Sequence, residues 1–236
     1  MQAIYEECRG ILGEQPTPAT LTRAVAAAAR IAEEVWRDLQ DESPKYDCQK
    51  GCSWCCHQTV MVTGPEVVAV AAFIRETYSP QEVRRLRALL AGRTKEIAGH
   101  STGERLENSL ACGLLDSDAC SAHPARPLLC RGGFSSDVGF CEALFRNFSA
   151  TLAEVTSGQR EEPFLLVPKT LFNSAQLGMA TAVREFGFRC PPLELTAALK
   201  IALDHPDTGD RWLADESIFA QSELQKIDGS YVTSGL

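Results

Sequence analysis

Cys48, Cys52, Cys55 and Cys56 fall within nine residues of one another, in the run CQKGCSWCC. Cys112, Cys120, Cys130 and Cys141 follow in a second, looser group. Eight clustered thiols in one chain need a chemical reason, and two are common. One is disulfide stapling in an oxidising compartment; the other is ligation of a soft metal where thiols stay reduced. The spacings are C-x3-C-x2-C-C and C-x7-C-x9-C-x10-C. A C-x2-C pair such as Cys52 and Cys55 lets two sulfurs converge on one ion, at about 2.3 Å for zinc. Gly51 lets the backbone turn just before Cys52. Cys55 and Cys56 are adjacent, so their side chains diverge and rarely chelate one tetrahedral ion together. That pair predicts more than one metal ion, or an iron–sulfur cluster, in preference to a lone zinc. Eight thiolates would saturate two four-cysteine centres.

Composition separates stapling from ligation. The chain has 236 residues and is 44% hydrophobic, enough to bury a core without disulfides. The first residues carry acids early and hold no long apolar run, unlike a signal peptide. No stretch approaches the roughly 18 to 20 apolar residues that span a membrane. These features predict a cytoplasmic protein, where a cysteine cluster more often binds metal. Net charge is −8, with 31 acids against 23 bases, which argues against a nucleic-acid surface. Ionised thiolates would add negative charge that a metal cation offsets. Buried packing thiols are a poor alternative, because loops dense in Gly and Pro do not bury free cysteines for packing. Cys8 and Cys190 lie outside the pattern and read as a spare thiol and a loop or core residue.

Neighbouring residues carry second readings. His57 and His123 could each replace a thiolate, as in Cys3His zinc sites, or orient a ligand. Glu66 is either a ligand or a carboxylate in the first turn of a helix. Asp116 reads as a turn residue. Arg126 and Arg131, in HPARPLLCR, either offset thiolate charge or pair with surface acids. His100 and His205 read as exposed helix-end residues. No nucleophile elbow, phosphate loop or dinucleotide fingerprint appears.

The elements that must position these groups are mostly helices. Residues 18–41 repeat apolar side chains at three- and four-residue steps from Leu21 to Leu39, an amphipathic helix. A second helix is expected from Gly64-Pro65, with Glu66 in its first turn. Ser79-Pro80-Gln81-Glu82 is a capping box opening a third, to about Ile97 or further toward Glu107. Residues 109–135 read as loop, with room for short strands. A fourth helix is expected over DVGFCEALFRNFSATLAEV, two more over about 168–186 and 192–204, and a short one in RWLADESIF.

The run CQKGCSWCC, then ACGLLDSDACSAHPARPLLCR, then Cys141, resembles the YkgJ-type cysteine cluster family (CxxCxxCC-like domains). Its bacterial members are described as zinc- or iron-chelating. Cys48, Gly51, Cys52, Cys55, Cys56, Glu66, Cys112, Leu115, Asp116, Cys120, Arg126, Pro127, Cys130, Arg131 and Cys141 match its pattern. The resemblance covers about 100 of the 236 residues. Gly113 departs from it, standing where proline commonly follows the cysteine, and His123 stands in place of an aromatic. Neither removes a sulfur.

The expected fold is mainly α: a compact helical domain with irregular cysteine-rich loops wrapped around a metal site. One domain is expected over 1–236, with its metal-binding core at about 44–145 and helical flanks at 1–43 and 146–236. The expected function is metal binding, of zinc or an iron–sulfur or polynuclear centre, through the eight clustered cysteines. The alternative is a metal- or iron–sulfur-dependent enzyme that modifies a protein or peptide. Similar cysteine clusters occur in flagellin lysine methylases, so that resemblance implies methyl transfer as one chemistry. Metal ions are the expected partners, with neither nucleic acid nor membrane. The helical C-terminal region leaves room for a protein partner.

Overall fold

The computed structural model describes residues 1–49, 51–227 and 229–233. The chain is mainly α, with eleven helices among the described residues and only three two-stranded ladders. Helix α1 (Gln2–Leu12) precedes the long amphipathic α2 (Pro18–Leu39). Thr17 caps α2, accepting from the Thr20 N–H at 3.2 Å, and Pro18 pre-sets its first turn. Leu21, Ala24, Ala28, Ala32 and Trp36 line its buried face. Small residues along that stripe let α1, α3 (Gly64–Thr77) and α9 (Leu166–Arg184) pack against it. The apolar core is continuous from Ile4 to Phe219 and draws on both flanks and the middle of the chain.

Helix α4 (Pro80–Ile97) begins at the expected capping box, with Ser79 and Glu82 bonded reciprocally. It stops at Ile97, because Gly99 adopts a positive φ of 73° and Ser101 caps a separate helix, α5 (Thr102–Glu107). The helix expected over residues 137–155 is two helices, α7 (Val138–Arg146) and α8 (Phe148–Thr156). Asn147 breaks it with φ −153° and ψ 68°. The Phe145 carbonyl freed at that break accepts from Ser109 Oγ at 2.9 Å, so tertiary contact replaces a helical bond. Helix α10 begins at Leu195 and ends at Asp204, since Leu193–Glu194 form strand β4 against β1 (Met61–Val62). Helix α11 (Thr208–Leu213) covers only the start of RWLADESIF.

Within 109–135 the short strands are β2 (Leu115–Asp116) and β3 (Ala119–Cys120). Ser117 and Asp118 join them with φ of 50° and 61°, the paired positive angles of a two-residue type I′ hairpin. A one-turn helix, α6 (Leu128–Arg131), follows. A terminal hairpin, β5 (Leu224–Ile227) and β6 (Ser230–Thr233), closes the described chain. The last three residues of the polar tail lie outside the described residues. No described helix is long and apolar enough to cross a membrane.

Candidate metal centre

The eight clustered cysteines come from several elements. Cys48 lies in extended chain, and Cys52 follows a turn closed by its own N–H to the Gln49 carbonyl at 3.0 Å. Gly51 makes that turn at φ +92°, a backbone conformation that residues with a Cβ seldom adopt. Cys55 and Cys56 sit in the 3-10 turn Trp54–His57. Cys112 precedes the β2–β3 hairpin and Cys120 lies in β3. Cys130 is on α6 and Cys141 on α7, so irregular loops carry only part of the group.

Backbone bonds bring these pieces together. The Cys112 N–H donates to the Cys56 carbonyl at 2.7 Å, and Ser53 Oγ donates to Asp118 at 3.3 Å, so the hairpin stands on the CSWCC turn. The Asp47 N–H donates to the Ser135 carbonyl at 2.9 Å, and the Val138 N–H to Asp47 Oδ2 at 3.2 Å. Those two bonds dock the start of α7 beside Cys48. The aromatic rings of Trp54 and His57 pack on Phe145 of α7, with centroids 5.1 Å and 4.5 Å apart.

Two connected groups of thiols result. Cys48 and Cys141 both meet Ser135, whose N–H donates to Cys48 Sγ at 3.3 Å and whose hydroxyl reaches Cys141. Cys52 and Cys55 lie within electrostatic reach of both. Cys56, Cys112, Cys120 and Cys130 form the other group, with Cys55 again in reach of three of them. The Cys56 thiol hydrogen-bonds Cys55 and holds it down at about 7, while that bond and burial push Cys56 itself up. Burial pushes Cys112 up to about 12 and Cys130 well above the ordinary thiol value. Cys55 and Cys130 are nevertheless exposed by surface area.

Among the described residues, no three His, Cys, Asp or Glu side chains are set as a ready ligand shell for one ion. The donor chemistry nonetheless fits zinc or iron: sulfur ligands, with backbone N–H groups directed at sulfur at Cys48 and, at 3.5 Å, at Cys112. Residues 47–147 match the family model CxxCxxCC, described as "Putative zinc- or iron-chelating domain". This stretch is similar to the CxxCxxCC domain. Its bounds enclose all eight clustered cysteines and leave out Cys8 and Cys190. No curated protein and no solved structure matches the chain.

The residues around the CxxCxxCC thiols divide clearly. Glu66 is fully buried, and its carboxylate accepts from the Thr63 N–H and Oγ (both 2.9 Å), Gln176 Nε2 (2.9 Å) and the Leu128 N–H (3.0 Å). Both oxygens are engaged, which makes Glu66 a helix-start and bracing residue. Arg131 is taken up by Glu33 of α2 and by the Arg126 and Pro124 carbonyls, at 3.0 Å and 2.7 Å. Arg126 lies against the His123 ring and within electrostatic reach of Cys120 and Cys130, where its charge offsets theirs. His57 turns Nδ1 to the Trp54 carbonyl at 3.4 Å. Asp116, expected in a turn, is the last residue of β2, paired with Ala119 beside the Ser117–Asp118 turn, and accepts from Ser117 Oγ at 3.0 Å. Cys8 and Cys190 are buried in the core. Ser135 escaped sequence reasoning, since a serine in the run RGGFSS carries no spacing signal.

Proposed function

We propose that this chain is a cytoplasmic metal-binding protein. Cys48, Cys52, Cys55, Cys56, Cys112, Cys120, Cys130 and Cys141 supply the thiolates for zinc or an iron–sulfur centre with more than one ion. The observation that carries this reading is the gathering of thiols from seven stretches of chain into two groups that share Cys55. Single-ion chelation would need only four of them. A bound metal would supply the positive charge that lets buried thiols lose their protons. The protein's own part is to hold the sulfurs, to direct the Ser135 and Leu114 N–H groups at them, and to place Arg126 beside Cys120 and Cys130.

Elemental analysis of protein purified without oxygen tests this directly. More than one zinc or iron per chain is expected, and acid-labile sulfide would identify the iron–sulfur form. Protein that stays metal-free after incubation with excess zinc and iron sinks the proposal. A single ion per chain would sink its polynuclear part.

A further inference from the structure

Two contacts from outside the CxxCxxCC domain end beside its thiols. The first is at Gly113, directly after Cys112. Its N–H donates to Thr196 Oγ1 of α10 at 3.1 Å, and Thr196 is only 1% exposed. A larger residue there would force its neighbours to shift, because a Cβ would lie 2.4 Å from Leu90 Cδ2 and 2.7 Å from Thr196 Cγ2. A proline would also lack the N–H. Glu194 holds Thr196 in place. It caps α10, accepting from the Ala197 N–H at 2.8 Å, and pairs with buried Arg105 at 2.6 Å.

The second contact is Gln176, on α9. Its Nε2 donates to Glu66 Oε2 at 2.9 Å and to the Met61 carbonyl at 3.3 Å. The other Glu66 oxygen accepts the Leu128 N–H, at the start of the single turn that bears Cys130. Gln176 thus braces the carboxylate that fixes that turn.

We infer that Thr196 and Gln176 are positioning residues for the metal centre: Thr196 sets the backbone at Cys112, and Gln176, through Glu66, sets the turn bearing Cys130. As a statement about metal the inference rests on the proposed function; as a statement about sulfur placement it stands alone. The physical basis is saturation of buried donors. Removing the Thr196 hydroxyl leaves the Gly113 N–H unpaired, and the backbone at Cys112 must shift to find a partner. Residues that hold a ligand from behind typically change metal affinity by about 10- to 100-fold when lost.

The test compares Thr196→Val, Gln176→Leu, the hydroxyl-retaining Thr196→Ser, and Leu21→Ala, a buried α2 residue outside the cysteine-bearing stretch, as a core control. Zinc affinity by chelator competition should fall ~10-fold or more in T196V and Q176L, and stay near wild type in T196S and L21A. Alkylation of metal-free protein, mapped by mass spectrometry, supplies a reading independent of metal. T196V should speed modification of Cys112, and Q176L should change that of Cys130, with Cys48 unaffected in both. Wild-type alkylation patterns in both variants, or the same changes in L21A, overturn the inference. Unchanged zinc affinity in both variants also overturns it. If the wild-type chain takes up no zinc, the functional proposal fails, while the alkylation pattern still decides the positioning claim.

Discussion

Cys8 shows what a thiol outside the centre looks like. It is fully buried, donates to the Ala24 carbonyl at 3.4 Å, and burial pushes it up to about 12. The folded value lies above the ordinary 9.0, so the stability it contributes is complete below pH 9.0 and lost as pH rises toward about 12. Cys8→Ala should therefore flatten the fall in unfolding free energy across that alkaline window, measured by urea titration at several pH values. Glu66 invites the converse experiment. All its partners are donors, so Glu66→Gln turns an amide N–H toward one of them and should cost about 1–3 kcal/mol in urea unfolding. A Glu66→Gln protein with wild-type stability would show that the carboxylate is not needed as an acceptor. The role of Glu66 was half legible in the sequence. Its place in a helix's first turn follows from Gly64-Pro65-Glu66, but its bonds to Leu128 and Gln176 join residues 62 and 110 positions away.

Among the elements, local chemistry decided where helices begin and tertiary contact decided where some of them end. The Gly64-Pro65-Glu66 start of α3 and the capping box of α4 were readable, and both helices start there, while the Thr17 cap of α2 came from the structure alone. Thr17→Ala should cost about 1 kcal/mol, lowering the melting temperature by a few degrees in calorimetry. The break at Asn147 was not readable, because the pattern of apolar residues continues through it. At that break the Phe145 carbonyl accepts the hydroxyl of Ser109, which lies just after α5. The same break leaves Phe145 free to pack on Trp54 and His57, beside the Cys55-Cys56 turn. Helix α1 gave no signal that stood out from its acidic start, and its burial against α2 and α9 is what makes it a helix of this fold.

At the scale of the molecule, the C-terminal flank is built into the cysteine-bearing middle. Strand β4 pairs with β1, the Leu195 N–H donates to the Val60 carbonyl at 3.1 Å, and Arg105 meets Glu194 with both side chains 1% exposed. Arg105 has two further buried nitrogens, Nε and Nη2, without a partner among the described residues. Arg105→Met leaves Glu194 as an uncompensated buried charge and should cost about 3–5 kcal/mol in denaturant unfolding. Metal affinity should fall as pH is lowered, because the thiols must lose protons before they bind. A competition titration from neutral to acidic pH checks this, with proton release expected on zinc uptake.

The sequence by itself determined the helical class, the eight thiols and the CxxCxxCC pattern, because residue type, period and spacing are local properties. The same holds for the cap of α4. Only the tertiary structure decided that Arg131 serves Glu33 while Arg126 faces the thiols, and that Ser135 bridges Cys48 and Cys141. It also decided that Cys55 is within electrostatic reach of both groups and that Thr196 and Gln176 reach in from the flank. Those relations depend on which buried donor finds which acceptor across scores of residues. Satisfying such bonds is a condition on the whole packed chain, and no local spacing encodes it.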